Sequence, residues 1–244
     1  DLAETLAELT PGLGGADVEN ICGTAGRVAA REGAAWVTRQ HFSKAIDRVR
    51  DGLEKPNKKV SKEEQRRTAV HESGHAIVGW VLPHCDPVTK VSIIWRGSGL
   101  GFTQTRNAEE RLSELREHYL DRVCMMLAGR AAEEVVYGSV SGGAASDLRQ
   151  ATQALYYMIT RLGFGNSTGL LSAPGPNMEW RLSQGTTAGI DLEVKATLAE
   201  QYERALGLVR AHRESLDGLV DKLLADEVIH QEGIQEILGE KVTV

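Results

Sequence analysis

The chain of 244 residues carries only three cysteines, Cys22, Cys85 and Cys124, far apart and with no Cys-x-x-Cys pair among them. That excludes a disulfide framework and a thiolate zinc site, and a reducing compartment fits best. No uninterrupted apolar run approaches the roughly 18 residues needed to span a bilayer, and no charged-then-apolar leader opens the chain, so this piece reads as soluble. There is no basic stripe either: acidic and basic side chains are interspersed, the net charge is −6, and nucleic acid is not an expected partner. No G-x-x-x-x-G-K-S/T phosphate loop occurs, so these residues are not expected to hydrolyse ATP. The first residue is Asp1 rather than Met, within a helix-like pattern. That is expected of a piece excised from something longer, with any membrane anchor outside it.

What remains is ordinary globular composition, enough for one large domain or a domain plus an appendage. Residues 1–50 read as a small helical unit. Leu2, Leu6 and Leu9 precede a turn at Pro11-Gly12, a helix from about Asp17 carries Val18, Ile21, Ala25, Val28 and Ala29 on one stripe, and a third helix follows Thr38. Residues 51–60 lose periodicity around Gly52, Pro56 and Lys58-Lys59 and read as a linker. Ser61 and Glu64 then have capping-box spacing, opening a helix that should stop at Pro83.

Val88 to Trp95 and Leu100 to Thr105 are the only strong strand candidates, separated by Arg96-Gly97-Ser98-Gly99. The second could be an exposed edge that pairs with an extended substrate, or an internal strand. Helices are expected from about Arg111 to Tyr137 and from about Ala144 to Leu162, joined by a Gly-rich run. Residues 163–189 read as a poorly ordered loop, a candidate lid. The remainder reads as helical, with Ile190, Val194, Leu198, Tyr202, Ala205 and Val209 on one stripe and Leu216 to Leu224 on another. The expected class is mainly α: a helical domain over 61–244 with a small β-sheet, preceded by a small helical subdomain.

The chemistry lies in the Ser61 helix, at Val70-His71-Glu72-Ser73-Gly74-His75-Ala76. Positions i and i+4 share a helix face, so His71 and His75 can offer nitrogens to one ion while Glu72 reaches water beside it. Such a string arises by chance in a chain this size on the order of one time in a hundred. The competing structural reading, two core histidines satisfied by hydrogen bonds, does not explain Glu72. A catalytic zinc takes three protein ligands and keeps a place for water. The metzincin continuation would need Gly and His where Val78 and Val81 stand, so the third ligand is distant. Glu133, Glu134 and Asp147 compete for it. Asp147 shares a face with Ala151, Leu155 and Met158, and Glu134 lines up with Leu127 and Ala131, so periodicity leaves the choice open, with ion pairing to Arg130 or Arg149 as the structural alternative.

Five segments together resemble one family: Thr10-Pro-Gly-Leu-Gly-Gly-Ala-Asp17, His71-Glu-Ser-Gly-His-Ala-Ile-Val78, Lys90-Val-Ser-Ile-Ile94, Leu127-Ala-Gly-Arg-Ala-Ala-Glu-Glu134 and Ser141-Gly-Gly-Ala-Ala-Ser-Asp-Leu148. They are similar to the FtsH family of membrane-anchored, ATP-dependent zinc proteases. Asp86-Pro87 and Leu120-Asp-Arg-Val-Cys124 look most like its mitochondrial branch, with bacterial or plastid origin also open. The resemblance implies that His71, His75 and Asp147 bind Zn²⁺, that Glu72 is the catalytic carboxylate, and that Glu133 and Glu134 stand behind the ligands. It implies that residues 1–50 are the helical lid ending an AAA module whose ATP site lies elsewhere in the full-length protein. Homo- or hetero-hexamers, unfolded polypeptide substrates, and a membrane reached through a missing N-terminal segment, in mitochondria (inner membrane), bacteria or plastids, follow from it too. Ser73, Ser146 and Gly14 depart from the family's usual Ala, Asn and Ser, and none of these removes a metal-binding or catalytic atom. The alternative from another class is a proteolytically silent zinc module whose helices serve assembly; a third is a helical adaptor without metal.

Overall fold

The structure is a computed structural model and describes residues 3, 6–7, 10, 12–50, 52, 60–95, 101–105, 113–173 and 181–241. Two helices come first, α1 (Gly15–Arg31) and α2 (Arg39–Arg50). Gly14 donates its N–H to Asp17 at 3.0 Å, closing the first turn of α1. Ile21, Ala25, Ala45 and Ile46 pack between the two helices with Leu13, Phe42 and Val49 around them. Leu2, Leu9 and all of 51–60 except Gly52 and Val60 lie outside the described residues.

The central element is α3 (Lys62–Val81). Ser61 Oγ accepts the Glu64 N–H at 3.1 Å, the expected start. Leu82 turns extended before Pro83, because a residue preceding proline is pushed out of the α region. From Thr68 to Trp80 nearly every side chain is buried, so this helix is covered on all faces rather than one. Its end is pinned by the C-terminal tail: Lys241 Nζ donates to the carbonyls of Gly79, Trp80 and Leu82 at 2.9, 3.2 and 2.9 Å, where a cation meets the negative end of the helix dipole.

Three antiparallel strands, β1 (Val88–Ser92), β2 (Phe102–Thr105) and β3 (Val228–His230), form a sheet in the order β2-β1-β3. Thr103 pairs with Val91, and Ile229 pairs with Val91 on the other side. The first strand stops three residues before the expected Trp95, and β3 falls where continuous helix was expected. Three residues are too few to display alternation, and β3 exists because β1 offers it an edge. Lys90, on the central strand, reaches α2: its Nζ lies 2.5 Å from Asp47 Oδ2, with both residues buried, and 5.3 Å from the Phe102 ring centroid.

Helix α4 (Arg116–Tyr137) runs antiparallel to α3, since His84, His75 and His71 meet Asp121, Met125 and Glu133 in turn. The two backbones approach closely: a Cβ on Gly74 would stand 2.4 Å from the Ala128 carbonyl oxygen. The expected start near Arg111 moves to Arg116, and 106–112 lie outside the described residues. Gly138, at φ 64°, ends α4 in the left-handed conformation that glycine adopts without strain. A short 3₁₀ turn, Gly142–Ala144, leads directly into α5 (Ala145–Arg161).

The expected poorly ordered loop is corrected over its described part. Thr168 Oγ1 donates to the Ile159 carbonyl at 3.0 Å, and Glu193 accepts the N–H groups of Asn166 and Ser167 at 2.7 and 2.8 Å. Polar composition marked a loop, but a carboxylate from a later helix supplies its backbone partners. Residues 174–180 lie outside the described residues, and α6 (Gln184–Ala211) begins at a Ser183 cap, inside the expected loop. Then come α7 (Arg213–Asp226), β3 and α8 (Gln231–Leu238). The fold is mainly α with a small sheet. Among the described residues no helix is long and apolar enough to cross a membrane.

Candidate metal centre

One turn apart on α3, His71 and His75 bring their Nε2 atoms to 3.1 Å. Asp147 enters from the first turn of α5, its Oδ2 at 3.1 Å from His71 Nε2 and 3.7 Å from His75 Nε2. The far nitrogens are engaged: His71 Nδ1 with Glu133 Oε1 at 2.9 Å, His75 Nδ1 with the Met125 carbonyl oxygen at 2.7 Å. A carbonyl oxygen only accepts, so His75 Nδ1 must donate, leaving a bare lone pair on Nε2 of the neutral ring. The Glu133 carboxylate fixes the same tautomer on His71. Two ring nitrogens and a carboxylate oxygen therefore converge on one place, which a cation satisfies: a metal ion or, without one, the proton that His71 holds toward Asp147.

The donor set fits zinc. Two nitrogens about 2.0–2.1 Å from a tetrahedral ion stand roughly 3.3 Å apart, close to the 3.1 Å between the imidazoles. Among the described residues His71, His75 and Asp147 are the group able to hold a metal, all three donor atoms lying within 4.8 Å of one another.

The protein's own charges point the same way. Burial, the largest influence on His71, opposes its protonation, yet the hydrogen bonds that the ring donates to Asp147 and Glu133 outweigh it and raise the ring to about 10. Burial also opposes charge on Asp147, but hydrogen bonds and charge from both imidazoles hold this carboxyl far below its usual range. Glu133 falls to about 2, as the bonds from His71 and Ser141 override its burial. Besides His71, it takes the Ser141 N–H at 2.8 Å, the Ser141 hydroxyl at 3.1 Å and Arg67 at 3.3 Å.

Glu72 is buried beside the imidazoles, and Thr103 on β2 donates to its Oε2 at 2.8 Å. Burial pushes its carboxyl up, against the pull of His75, His71 and Thr103. Gly101 leaves room for it: a Cβ there would lie 2.9 Å from Glu72 Cγ. Gly129 does the same for His71, where a Cβ would lie 2.5 Å from Nε2. The site opens into a cavity of about 1060 Å³, lined also by Phe102, Thr103 and Thr105 of β2.

The sequence-predicted His71, His75, Glu72 and Asp147 thus come together, with Glu133 behind His71. Glu134 does not join them, because its Oε2 accepts the Tyr202 hydroxyl at 2.6 Å. Thr103, Gly101, Gly129 and the Met125 carbonyl were missed. A main-chain oxygen has no sequence signal, and the glycines sit in runs that read as ordinary helix or turn.

Two histidines and a glutamate on one helix, completed by an acid from another, are the arrangement of the His-Glu-x-x-His metal-dependent peptidases. The chain belongs to peptidase family M41, whose profile matches residues 58–237, and an AAA+ lid domain profile matches residues 1–44. It is similar to "ATP-dependent zinc metalloprotease FTSH 3, mitochondrial" of Oryza sativa subsp. japonica, 43% identical over 244 residues, covering 98% of this chain and 30% of that protein. It is 40% identical over 243 residues to "Mitochondrial inner membrane m-AAA protease component AFG3L2" of Mus musculus, with 98% and 30% covered. It is 43% identical over 244 residues to "ATP-dependent zinc metalloprotease FtsH 1" of Salinibacter ruber, with 97% and 35% covered. The chain spans about a third of the length of the curated relatives it matches.

Proposed function

We propose that this chain is the proteolytic part of an ATP-driven zinc endopeptidase, with 61–244 as the peptidase domain, 51–60 as the linker and 1–50 as the lid end of an ATPase module. One observation carries the reading: two imidazole nitrogens and a carboxylate oxygen, each able to ligate a metal, converge within 4.8 Å of one another. His71, His75 and Asp147 would hold the ion. Zinc bound there supplies Lewis acidity, acidifying water and polarising a peptide carbonyl.

The chain's own residues do the rest. Glu72 takes a proton from the water whose oxygen attacks the carbonyl carbon, and returns it to the amine as the C–N bond breaks. Thr103 holds the carboxylate in place through its Oε2. Among the described strands β2 pairs only with β1, and an extended polypeptide would add to its other edge, giving affinity through the main chain with little side-chain preference. That suits a protease fed with unfolded or membrane proteins by an attached motor. The names of the relatives, ATP-dependent in two cases and an inner-membrane protease component in a third, support a membrane-associated parent in mitochondria or bacteria that uses ATP bound outside these residues. That it works as a homo- or hetero-hexamer is what the family resemblance implies.

The test uses the full-length parent protein. Glu72→Gln is expected to keep zinc and lose casein cleavage, Asp147→Ala to lose zinc, and Glu134→Gln to keep both; a chelator should stop cleavage and added zinc restore it. Cleavage retained by Glu72→Gln, or zinc lost only in Glu134→Gln, sinks the assignment.

A further inference from the structure

The cleft contains a third imidazole, beyond His71 and His75, that this chemistry does not use. His84 follows the end of α3, and both its backbone N–H and its Nδ1 bond to Asp121 Oδ2, at 3.2 and 2.9 Å. Asp121 is 3% exposed, and its other oxygen pairs with Arg204 at 2.7 Å. A carboxylate accepts, so Nδ1 carries the proton and Nε2 of the neutral ring keeps its lone pair. Among the described residues Nε2 has no hydrogen-bond partner, and the side chain, 24% exposed, lines the same cavity as His71, His75 and Asp147. The His118 ring packs against it at 4.8 Å between centroids, which limits its rotation.

Merely tethering the turn after α3 would require only the bond from the His84 backbone N–H to Asp121. The second bond, from the ring, does something else: it selects a tautomer and presents an acceptor to the cavity. Its place along the cleft can be read from α4. Met125, whose carbonyl anchors His75, is four residues beyond Asp121, one helical turn or about 6 Å. An extended chain covers that distance in about two residues.

We propose that His84 is a substrate-binding residue whose Nε2 accepts a backbone N–H of an extended polypeptide about two residues from the bond that is cut. Asp121 is the positioning residue that fixes the acceptor tautomer. The inference rests on the peptidase reading of the same cleft. It gives the enzyme a requirement for a main-chain donor at one subsite, which proline or an N-methylated residue there does not meet.

The experiment compares the full-length parent with its His84→Ala, His84→Phe and Asp121→Asn variants on a fluorogenic peptide and on analogues N-methylated at one backbone position each. His84→Phe keeps a ring against His118 and removes the acceptor. Loss of one hydrogen bond should raise KM about three- to ten-fold with kcat within about two-fold. N-methylation at one position about two residues from the cleaved bond should cost the wild type a similar factor and the His84 variants nothing. The same loss should appear as weaker binding of a labelled unfolded peptide, read by fluorescence anisotropy, when His84→Phe is added to the Glu72→Gln protein. Equal N-methyl penalties in wild type and His84 variants at every position, or a fall in kcat with KM unchanged, overturns the proposal. Failure of the peptidase reading looks different, because the wild type would then show no zinc-dependent cleavage.

Discussion

His71 Nδ1 and Glu133 Oε1 stand 2.9 Å apart, and the carboxylate making this contact is itself held by Ser141 and Arg67. Glu133 therefore fixes the tautomer and the aim of a histidine that faces the proposed metal. Glu133→Gln keeps the volume but removes the charge, and zinc affinity should fall about 10- to 100-fold. Competition against a chelating dye measures this. An unchanged affinity would separate Glu133 from the metal.

Gly129 is the slot into which the His71 ring fits. A Cβ there would press on Nε2 at 2.5 Å, and relieving it by moving α4 outward would give up the close packing of Gly74 against Ala128. Gly129→Ala should turn the ring and cut zinc content after gel filtration, while far-UV circular dichroism stays close to wild type. Crowding of this kind costs about 1–3 kcal/mol, so the metal-free protein should also melt earlier. Full zinc occupancy in the variant would show that the ring has room to yield.

Ser73 Oγ is fully buried and has no hydrogen-bond partner among the described residues, although it stands in the helix that carries the histidines. A desolvated, unpaired hydroxyl costs about 1–3 kcal/mol. Ser73→Ala should raise stability by about 1 kcal/mol, seen as a Tm higher by about 2–4 °C in a calorimetric scan. A lower Tm would mean that the hydroxyl has a partner after all.

Cys85 and Cys124 are buried while Cys22 is exposed. Burial pushes both inner thiols up to about 12. The thiolate is the reactive form, so at pH 8 a thiol reagent should label Cys22 alone in the native protein and all three cysteines in denaturant. The sign of the linked stability follows: unfolded thiols ionise near about 8.5, so stability is intact below that pH and declines as pH rises toward about 12. Rapid native labelling of Cys85 or Cys124 would contradict the packing around α3 and α4.

Local chemistry was legible in the sequence where it is local in space. Ser61 caps its own helix three residues away, and His71 and His75 meet because they are one turn apart. The choice between Glu134 and Asp147 was not legible, since both sit on apolar stripes. Tertiary placement separates the two: α4 turns Glu134 toward Tyr202, while the turn from Ser141 to Ala144 folds back so that Asp147 at the start of α5 lies beside His71. The family resemblance favoured Asp147 on other grounds. Strand β3 and the bonds from Glu193 to Asn166 and Ser167 escaped notice for a related reason, being made by partners far along the chain.

The contact between Lys90 and Asp47 joins α2 to the middle strand of the sheet through two opposite charges sealed from solvent. Prising them apart requires water to reach both, and an ion left buried alone costs several kcal/mol. A shift of α2 away from β1 would therefore strand both charges, so this joint favours the two elements staying together. Strand β1 in turn pairs with the strand whose Thr103 hydroxyl donates to Glu72, two contacts away from the ion pair.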